Sequence, residues 1–437
     1  MQYKPVHNRV PQDRAARDRS SRGRIAPALA ALGATACAAV ISATPAAAAA
    51  ATGHSVFAAR AYGSYVRLGT TVSSGATADV PLCTTTSGAS VSDTTAATTV
   101  PGVGSIGAVT TNVHSATSGS TVESLGSSST AGMSLLGGLI TASAVTTQAT
   151  ISYATARSYV RTGAVNLVGL KIAGQPIAAH PTVNQTISLA GIGTVVLNRQ
   201  AATYSLGAHS QSVTALQVTL TAGNTLHLPT GTVIVGHSSA TLHYPIRSLP
   251  WGSASATTVA VGSVVKSGPT APVTVPCGGT DGATMTYNTA GVTLPGVLTT
   301  GVTTSSARSN ESSYQTLSSN RDTIANVNLF DGVVTATAVT TQANAYRVAS
   351  NRAFTGTTTG TKIAGLAING HAYTAAVGEN TTIKIAGVGT LYLRRITRYA
   401  TGLTQYGLQF QLSVARSGLA AGTMISVGYA SAGVYNN

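Results

Sequence analysis

Two segments of the chain, separated by 196 residues, carry nearly the same sequence. Residues 186–199 read TISLAGIGTVVLNR and residues 382–395 read TIKIAGVGTLYLRR, with eight of fourteen positions identical. A second pair, GLITASAVTTQAT at 138–150 and GVVTATAVTTQAN at 332–344, shares nine of thirteen positions. Solenoid repeats have periods of about 20 to 50 residues. The much longer period here predicts one large unit that has been duplicated.

Both repeated segments alternate apolar and polar residues, as a half-buried β-strand requires. In the 138–150 segment Ile140, Ala142 and Ala144 share one parity, and we expect this small-residue face to pack closely against a second layer. The apolar positions of one parity in the 186–199 segment are Ile187, Leu189, Val195 and Leu197. Its Gly191–Gly193 pair, repeated as Gly387–Gly389, indicates a bulge or a tight bend.

Short apolar runs separated by Gly-, Ser- and Thr-rich stretches fill the chain after residue 51, and no stretch keeps helical periodicity over about twelve residues. We therefore predict an all-β protein with two tandem, related β-sandwich-like domains, residues 52–246 and 247–437, each with about ten short strands. Pro245 and Pro250 are expected to bracket a short linker between them. The alternative is one continuous pair of sheets through both halves.

The first 51 residues are typical of a cleaved secretory signal peptide. Five arginines within 14–24 precede an apolar run over 25–43, and an alanine tract then offers a cleavage site between 46 and 52. Without an adjacent arginine pair, the general secretory route is favoured over twin-arginine export. An uncleaved membrane anchor and lipidation at Cys37 are the alternatives.

The chain is basic although only 8% of its residues are charged. Cleavage of the leader removes seven basic and two acidic residues and lowers the formal charge from +15 to +10. Lys and Arg are twice as frequent after residue 246 as before it in the remaining chain. This asymmetry favours an anionic partner for the second half, with ordinary solubility as the alternative.

Two cysteines remain after cleavage, Cys83 and Cys277, and each follows a Val-Pro element. They therefore occupy equivalent places in the two copies, which excludes a disulfide within either copy. A bridge between the copies and two buried thiols both remain open in an oxidising compartment. We favour buried thiols, because a bridge requires the two Cα atoms to lie within about 7 Å.

The secretory leader, the Ser/Thr/Gly-rich β-repeat, the Val-Pro-Cys element and the GxxTAxAVTT strand together resemble the choice-of-anchor P family of actinobacterial secreted proteins. The resemblance covers roughly residues 55 to 435. It implies a secreted or surface-exposed module with no established chemistry. The chain ends SVGYASAGVYNN, without an LPxTG-like string or a hydrophobic tail. We therefore expect release rather than covalent attachment.

Catalytic and metal-binding residues are not expected. A shared activity would place the same polar residues in both copies, but the three carboxylates of the first half do not align with the five of the second. No nucleophile motif is present. The alternative, a secreted hydrolase, would draw on Asp322, Asp331 and Glu379. His227, His237 and His243 share parity, but they lack histidine counterparts, so we predict no metal and no cofactor.

The one coherent polar cluster is basic. Lys384, Arg394 and Arg398 share the parity opposite the apolar side of the repeated strand, and Arg395 and Arg416 lie nearby. We predict that this face of the second domain attaches a secreted, cell-wall-associated protein to an anionic cell-wall polymer. An ordinary solvated strand face is the alternative. Nucleic acid is not expected, because aromatic residues are not interleaved with the basic ones, and no membrane partner is expected after signal cleavage.

A tandem carbohydrate-binding module is the alternative function. Exposed tyrosines could stack on sugar rings, because an aromatic ring combines an apolar face with a polar edge. The candidate platform residues are Tyr65, Tyr159, Tyr346, Tyr392 and Tyr399.

Overall fold

All regular secondary structure in the described residues is β-strand. The structure, a computed structural model, describes residues 54–69, 71–154, 158–261, 264–267 and 269–436. No helix is present in these ranges, so the prediction of an all-β fold is confirmed. These ranges accordingly contain no helix long and apolar enough to cross a membrane. The predicted signal peptide, residues 1–51, lies outside the described residues.

The first half contains strands β1 to β18. Their bounds are β1 (His54–Leu68), β2 (Thr71–Ser74), β3 (Val80–Thr84), β4 (Ser90–Thr95), β5 (Thr98–Val100), β6 (Gly104–Ile106), β7 (Val109–Ser118), β8 (Thr121–Thr130), β9 (Met133–Leu135), β10 (Ile140–Ala142), β11 (Ala144–Tyr153), β12 (Tyr159–Val168), β13 (Lys171–Ile172), β14 (Gln175–Pro176), β15 (Gln185–Leu189), β16 (Gly193–Ser205), β17 (Ala208–Leu220) and β18 (Gly231–Ile246).

The second half contains strands β19 to β35. Their bounds are β19 (Ser248–Val261), β20 (Val264–Ser267), β21 (Val273–Thr274), β22 (Thr284–Thr289), β23 (Val292–Leu294), β24 (Leu298–Thr300), β25 (Thr303–Glu311), β26 (Gln315–Leu329), β27 (Val334–Val348), β28 (Phe354–Thr357), β29 (Lys362–Ala364), β30 (Ala367–Ile368), β31 (His371–Ala372), β32 (Thr381–Ile385), β33 (Gly389–Tyr399), β34 (Gly402–Leu412) and β35 (Met424–Asn436). Strands are more numerous than the ten expected per half, and several are long.

Each half contains a seven-stranded antiparallel sheet of the same topology. In the first half the order is β15-β16-β17-β18-β1-β2, with β3 also paired to β1. The second half repeats it as β32-β33-β34-β35-β19-β20, with β21 paired to β19. The last strand of each half therefore pairs with the first strand of the same half. No sheet in the described ranges combines strands of both halves.

A second layer packs on each seven-stranded sheet. In the first half it consists of a five-stranded sheet, β12-β11-β8-β7-β4, and a six-stranded sheet, β14-β13-β10-β9-β6-β5. In the second half β26 and β27 run unbroken, and one ten-stranded sheet replaces the two smaller ones. Buried Val, Leu, Ile and Ala side chains from both layers form the core of each half.

The Gly pairs of the repeated 186–199 and 382–395 segments form hairpin turns. The predicted tight bend is therefore confirmed, whereas the single strand expected through each segment is two paired strands. β15 and β16 pair from Gln185–Leu197 to Leu189–Gly193 around the turn. Gly191 has a φ of 69°, and Gly387 has a φ of 71°. A Cβ on Gly193 would overlap the Thr219 carbonyl of the neighbouring strand β17. Glycine is therefore required both by the turn and by the close approach of the next strand.

The two halves are joined by a single residue, Arg247, between β18 and β19. Its backbone N–H donates to both carboxylate oxygens of Glu311, each at 3.0 Å. Its guanidinium donates to the carbonyls of Ser312 and Ser313. The predicted proline-bracketed linker is wrong: Pro245 lies within β18 and Pro250 within β19. Pro245 is absent from the ladder pairs of β18, and Pro250 is the third residue of β19.

A disulfide joins Cys83 to Cys277, with their Cα atoms 5.7 Å apart. The prediction of two buried thiols is therefore wrong, and Cys83 is in fact exposed. Cys83 ends up beside Cys277 because β3 pairs with β1, and the Cys277 sulfur lies 3.8 Å from the carbonyl of Phe57 on β1. Equivalence of two cysteines in a duplicated sequence carries no information about the distance between the copies.

Candidate functional site

In each half, four adjacent strands of the seven-stranded sheet each contain one residue that the ladder pairing skips, and these four residues form a row across the sheet. In the second half the row is Ala256, Gly428, Gly407 and Arg394, and in the first half it is Gly63, Gly236, Ala215 and Asn198. Arg394 has a φ of 50° and Asn198 has a φ of 47°, both in the left-handed region. The ladder pairs on either side skip these residues. Each strand therefore changes face at this row. Two residues of the same sequence parity, one before the row and one after it, lie on opposite faces of the sheet.

Because of this change of face, the predicted cations do not lie together on one face of the sheet. Arg398 lies opposite Leu403, which is fully buried, and its guanidinium donates to the Gly356 carbonyl of the other layer. It also pairs with Glu379 at 3.2 Å. Lys384 is exposed, opposite Thr390 on the outer side of the hairpin. Lys384 and Arg398 therefore lie on opposite faces, although their sequence parity is the same.

Arg395 lies on the outer face instead of Arg398. Its guanidinium donates to Gln409 Oε1 at 3.1 Å and lies 5.2 Å from the ring centre of Tyr392. In the first half Arg199 donates to Gln217 at 2.7 Å in the same way. Because the bond is present in both copies, it belongs to the common scaffold.

Arg416 is separate from these residues. Its guanidinium lies 5.6 Å from the ring centre of the buried Phe330, a cation–π contact, and its backbone forms a bridge with Leu419. The structure thus places Arg416 against a core aromatic ring in the turn region before β35. The five predicted cations are distributed over four environments, because Arg394 lies in a further one, a surface depression.

Arg394 lines a surface depression of about 370 Å³ beside the β29–β31 segment. Among its lining residues in the described part of the chain, Lys362 and Arg394 are charged and no residue is acidic. Tyr373 also lines the depression, and apolar side chains including Leu366 and Val377 contribute to it. A concave site with two cations and an apolar wall is suited to an anion attached to a larger organic group.

Within the described residues, one hydrogen bond holds the Arg394 guanidinium. Its Nη1 donates to the Val377 carbonyl at 3.0 Å, whereas its Nε is buried without a partner in the described ranges. Glu379 also lies within reach of the Arg394 charge, but it accepts hydrogen bonds from Thr358 and Arg398. Burial acts to raise the pKa of Glu379, and these bonds outweigh burial and lower it. Glu379 is therefore ionised and already paired.

The first half shows the same scaffold without the charges. Asn198 occupies the place of Arg394 and donates to the Pro181 carbonyl at 2.8 Å, the equivalent of Val377. Asn166 pairs with Thr146 as Lys362 pairs with Thr340. Lys362 was not among the predicted cations, because that prediction considered the repeated 382–395 segment and residues near it, and Lys362 lies on another strand, β29. Both cations are present in the second copy only, on a frame that the two copies share.

The three carboxylates considered for a hydrolase do not share a site in the structure. Asp322 is fully buried, and Ser305 donates to its Oδ1 at 2.8 Å. Burial raises the pKa of Asp322 to about 7, although hydrogen bonds from Ser305 and Thr323 act to lower it. Asp331 lies in the exposed turn between β26 and β27, and Glu379 is engaged with Arg398.

The three candidate histidines have protein partners or lie apart. His237 stacks on Tyr62 at 4.6 Å, and burial together with the nearby Arg60 lowers its pKa to about 4. Both ring nitrogens of His243 contact backbone carbonyls, those of Tyr244 and Leu206. His227 lies in the loop before β18. Among the described residues, no group of three or more His, Cys, Asp or Glu side chains could hold a metal ion.

The five candidate tyrosines lie on four strands, β1, β12, β27 and β33. Tyr399 is 52% exposed, whereas Tyr392 donates its hydroxyl to Gln411 beneath Arg395. Tyr159 stacks on His209 at 3.7 Å, in an aromatic cluster that also includes Tyr204. Burial and neighbouring tyrosines raise the pKa of Tyr159 to about 12. The tyrosines do not form one shared platform.

The fold and these sites define an all-β protein of sandwich-like sheets, with a cationic depression in its second half. The chain matches no model of a known protein family, and no curated protein has significant sequence similarity to it.

Proposed function

We propose that this chain is a secreted, non-enzymatic extracellular protein that binds an anionic cell-wall polymer through its second half. The convergence of Lys362 and Arg394 in one depression, without an acidic lining residue in the described ranges, carries the proposal. Arg394 brings an Nε donor that has no partner among the described residues, and Lys362 is exposed. A phosphate or carboxylate group on a polymer would accept hydrogen bonds from both cations.

The basic residues of the second half support the same partner. Lys384 and Arg395 are exposed on the seven-stranded sheet that contains Arg394. An excess of positive charge attracts a polyanion at a distance and raises its local concentration, in a manner that salt weakens. In this proposal the depression supplies the contact, and the surrounding cations supply the long-range attraction.

Secretion is part of the proposal and rests on three observations. Residues 1–51 have the pattern of a signal peptide. The Cys83–Cys277 disulfide suits an oxidising compartment. The resemblance to the choice-of-anchor P family of actinobacterial proteins points the same way. Salt extraction of washed cells, followed by detection of the protein in pellet and medium, tests whether non-covalent attachment retains it.

The binding test exchanges the two cations for the residues of the first copy. Lys362→Asn with Arg394→Asn removes both charges, and Asn198 shows that asparagine makes the equivalent bond in this backbone conformation. Binding to polyglycerol phosphate and to polygalacturonate, measured at low and high salt by biolayer interferometry, should weaken about tenfold or more in the variant. Neutral dextran serves as the uncharged comparison.

The matched control removes the same net charge elsewhere. Arg67→Asn with Lys171→Asn changes two exposed cations of the first half. We expect this variant to retain binding to within a factor of about two, because general attraction depends weakly on two distant charges. If the two double variants lose the same affinity, the depression is not the site and only the overall charge acts.

The tandem carbohydrate-binding module remains the second candidate, because one aromatic cluster is favourably placed. Tyr204 is 56% exposed and Tyr244 is 43% exposed, and both rings lie within about 6 Å of the His209 ring. Arg161 donates to His209 Nδ1 at 2.6 Å, so the neutral imidazole carries its proton on Nε2. Salt-insensitive binding of a neutral sugar that is lost in Tyr204→Ala would favour this candidate.

A further inference from the structure

A polar groove of about 360 Å³ crosses the five-stranded sheet of the first half. It extends over β7, β8, β11 and β12, and His180 lies at its β12 side. The opposite face of this sheet packs on the seven-stranded sheet, where the buried Thr147 hydroxyl contacts the Ser238 hydroxyl at 2.6 Å. The groove therefore lies on the face directed away from the core.

Hydroxyl and amide side chains line the groove in rows that cross the strands. One row consists of Thr110, Ser129, Thr146 and Asn166, which are cross-strand neighbours on four adjacent strands. The strands of a sheet are about 4.8 Å apart, so the row spans about 15 Å. The next row begins with Asn112, Ser127 and Gln148.

Much of this hydrogen-bonding capacity is unused within the described part of the chain. The side chains of the Thr110 row have no hydrogen-bond partner in these ranges. Asn112 donates its amide N–H to Ser90, which leaves its Oδ1 to accept. His180 Nδ1 lies 3.1 Å from the Val165 carbonyl, so Nδ1 carries the proton and Nε2 is an acceptor. The groove thus offers both donors and acceptors.

No charged side chain lines the groove in the described residues. The second half differs at two equivalent places. Arg321 lies between Ser306 and Gln342, as Ser127 lies between Asn112 and Gln148. Lys362 takes the place of Asn166. The first copy keeps a neutral face where the second carries two cations.

We propose that this groove binds an uncharged polysaccharide chain laid across the strands. The spacing of about 4.8 Å between hydrogen-bonding groups is close to the length of one pyranose ring in an extended chain. Sugar hydroxyls both donate and accept, as the Ser, Thr, Asn and Gln side chains of the rows do. A polyanion would find no cation here, and a peptide would bring backbone groups that require a strand edge rather than a sheet face.

Such a site extends the function proposed above, and it does not depend on it. The first half would contact a neutral chain while the second half contacts an anionic polymer. Two sites on one chain would link two polymers, and the affinity would rise where both polymers are held in the same wall.

The test uses the full mature protein and four neutral hexasaccharides: maltohexaose, cellohexaose, xylohexaose and laminarihexaose. Ser127→Arg with Asn166→Lys introduces the residues of the second copy at the equivalent places, where that copy accommodates them. We expect calorimetric titration to show binding of at least one hexasaccharide and a loss of about tenfold or more in this variant. Ala201→Arg with Thr203→Lys adds the same charge at exposed positions of β16 and should leave binding unchanged.

A second variant avoids any effect of added charge. Thr110→Val with Thr146→Val removes two hydroxyls of one row, keeps the side-chain volume and suits a strand. It should also weaken the hexasaccharide about tenfold. The proposal is overturned if none of the four hexasaccharides binds, or if neither groove variant changes their binding. Polyglycerol phosphate binding by the same preparations tests the second half separately, so either proposal can fail alone.

Discussion

Single residues that differ between the two copies show which positions the scaffold requires and which it leaves open. Asn198 and Arg394 share a left-handed backbone and one carbonyl contact, although one is neutral and the other charged. Asn184 and Asn380 are identical, and each accepts a hydrogen bond from the backbone two residues beyond these positions. The conformation is thus a property of the scaffold, and the charge is free to change.

At Asp322, in contrast, the charged residue of the second copy lowers the stability of the fold. Ser128 occupies the same place in the first copy, by its pairing with Thr111 and Thr147. The second carboxylate oxygen of Asp322 is buried without a partner in the described ranges. Burial raises the pKa from its ordinary value of 3.8 to about 7. The folded state therefore prefers the protonated acid.

We predict that Asp322→Ser stabilises the protein at pH 8. The folded pKa lies above the unfolded one, so the stability that this group contributes is complete below about pH 4 and is lost as the pH rises through 7. The substitution should raise the free energy of unfolding at pH 8 by on the order of a few kcal/mol, at about 1.4 kcal/mol per pKa unit. Urea denaturation at pH 4 and pH 8 measures the difference.

Asp93→Ser is the control for this experiment, because Asp93 is exposed on β4. It should leave the pH dependence of stability unchanged. An equal effect of Asp322→Ser at pH 4 and pH 8 would show that ionisation of this carboxyl does not limit stability.

At the scale of strands, the face that a residue occupies depends on irregularities in the ladder. Of the three residues expected on the inward face, Ile140 and Ala142 are buried. Beyond Ser143 the buried residues are Val145 and Thr147, so Ala144 does not lie on that face. In the second copy the corresponding change of face in β27 occurs opposite Asn326 of β26, whose φ is 50°. Arg394 causes the same change of face in β33.

Gly428 lies where the two layers of the second half approach each other closely. A Cβ there would overlap the Thr341 hydroxyl in the repeated AVTT motif of β27, and the residue has a φ of 71°. Gly387, in the β32–β33 turn, has the same φ of 71°, but a Cβ at this position would meet no atom within 4 Å. Substitutions at Gly387 and Gly428 therefore distinguish the energetic cost of backbone strain from that of overpacking.

We predict that Gly387→Ala costs about 1 kcal/mol and that Gly428→Ala costs about 3 kcal/mol in the free energy of unfolding. The left-handed backbone accounts for the first value, and overpacking adds to the second. Chemical denaturation of both variants measures the difference. Equal losses would mean that the layers adjust to a methyl group without cost.

At the scale of the molecule, a disulfide, hydrogen bonds and close packing hold the two duplicated halves together. The disulfide joins residues 194 positions apart. Arg247, the one residue between β18 and β19, bonds to Glu311, and both carboxylate oxygens of Glu311 are engaged. Gly278, next to Cys277, packs closely on the ring of His243 from the first half. Duplication therefore supplied the halves, and new contacts joined them.

We predict that reduction of the disulfide, or Cys83→Ser with Cys277→Ser, lowers the free energy of unfolding by up to about 5 kcal/mol. A cross-link that closes a loop of 194 residues restricts the unfolded chain strongly. Guanidinium denaturation with and without reductant measures the effect, and the serine variant should no longer respond to reductant. Unchanged midpoints in the reduced wild-type protein would contradict the prediction.

Local patterns in the chain were sufficient for the all-β fold, the duplication and the glycine turns at 191 and 387, because alternation and turn chemistry depend on neighbours in sequence. The grouping of Lys384, Arg394 and Arg398 failed because one left-handed residue changes the face of every residue after it. The Cys83–Cys277 bridge, the Lys362–Arg394 depression and the groove across β7 to β12 each join residues that are well separated in the chain. Strand order and register bring these residues together, and both result from long-range packing that no short stretch of sequence encodes.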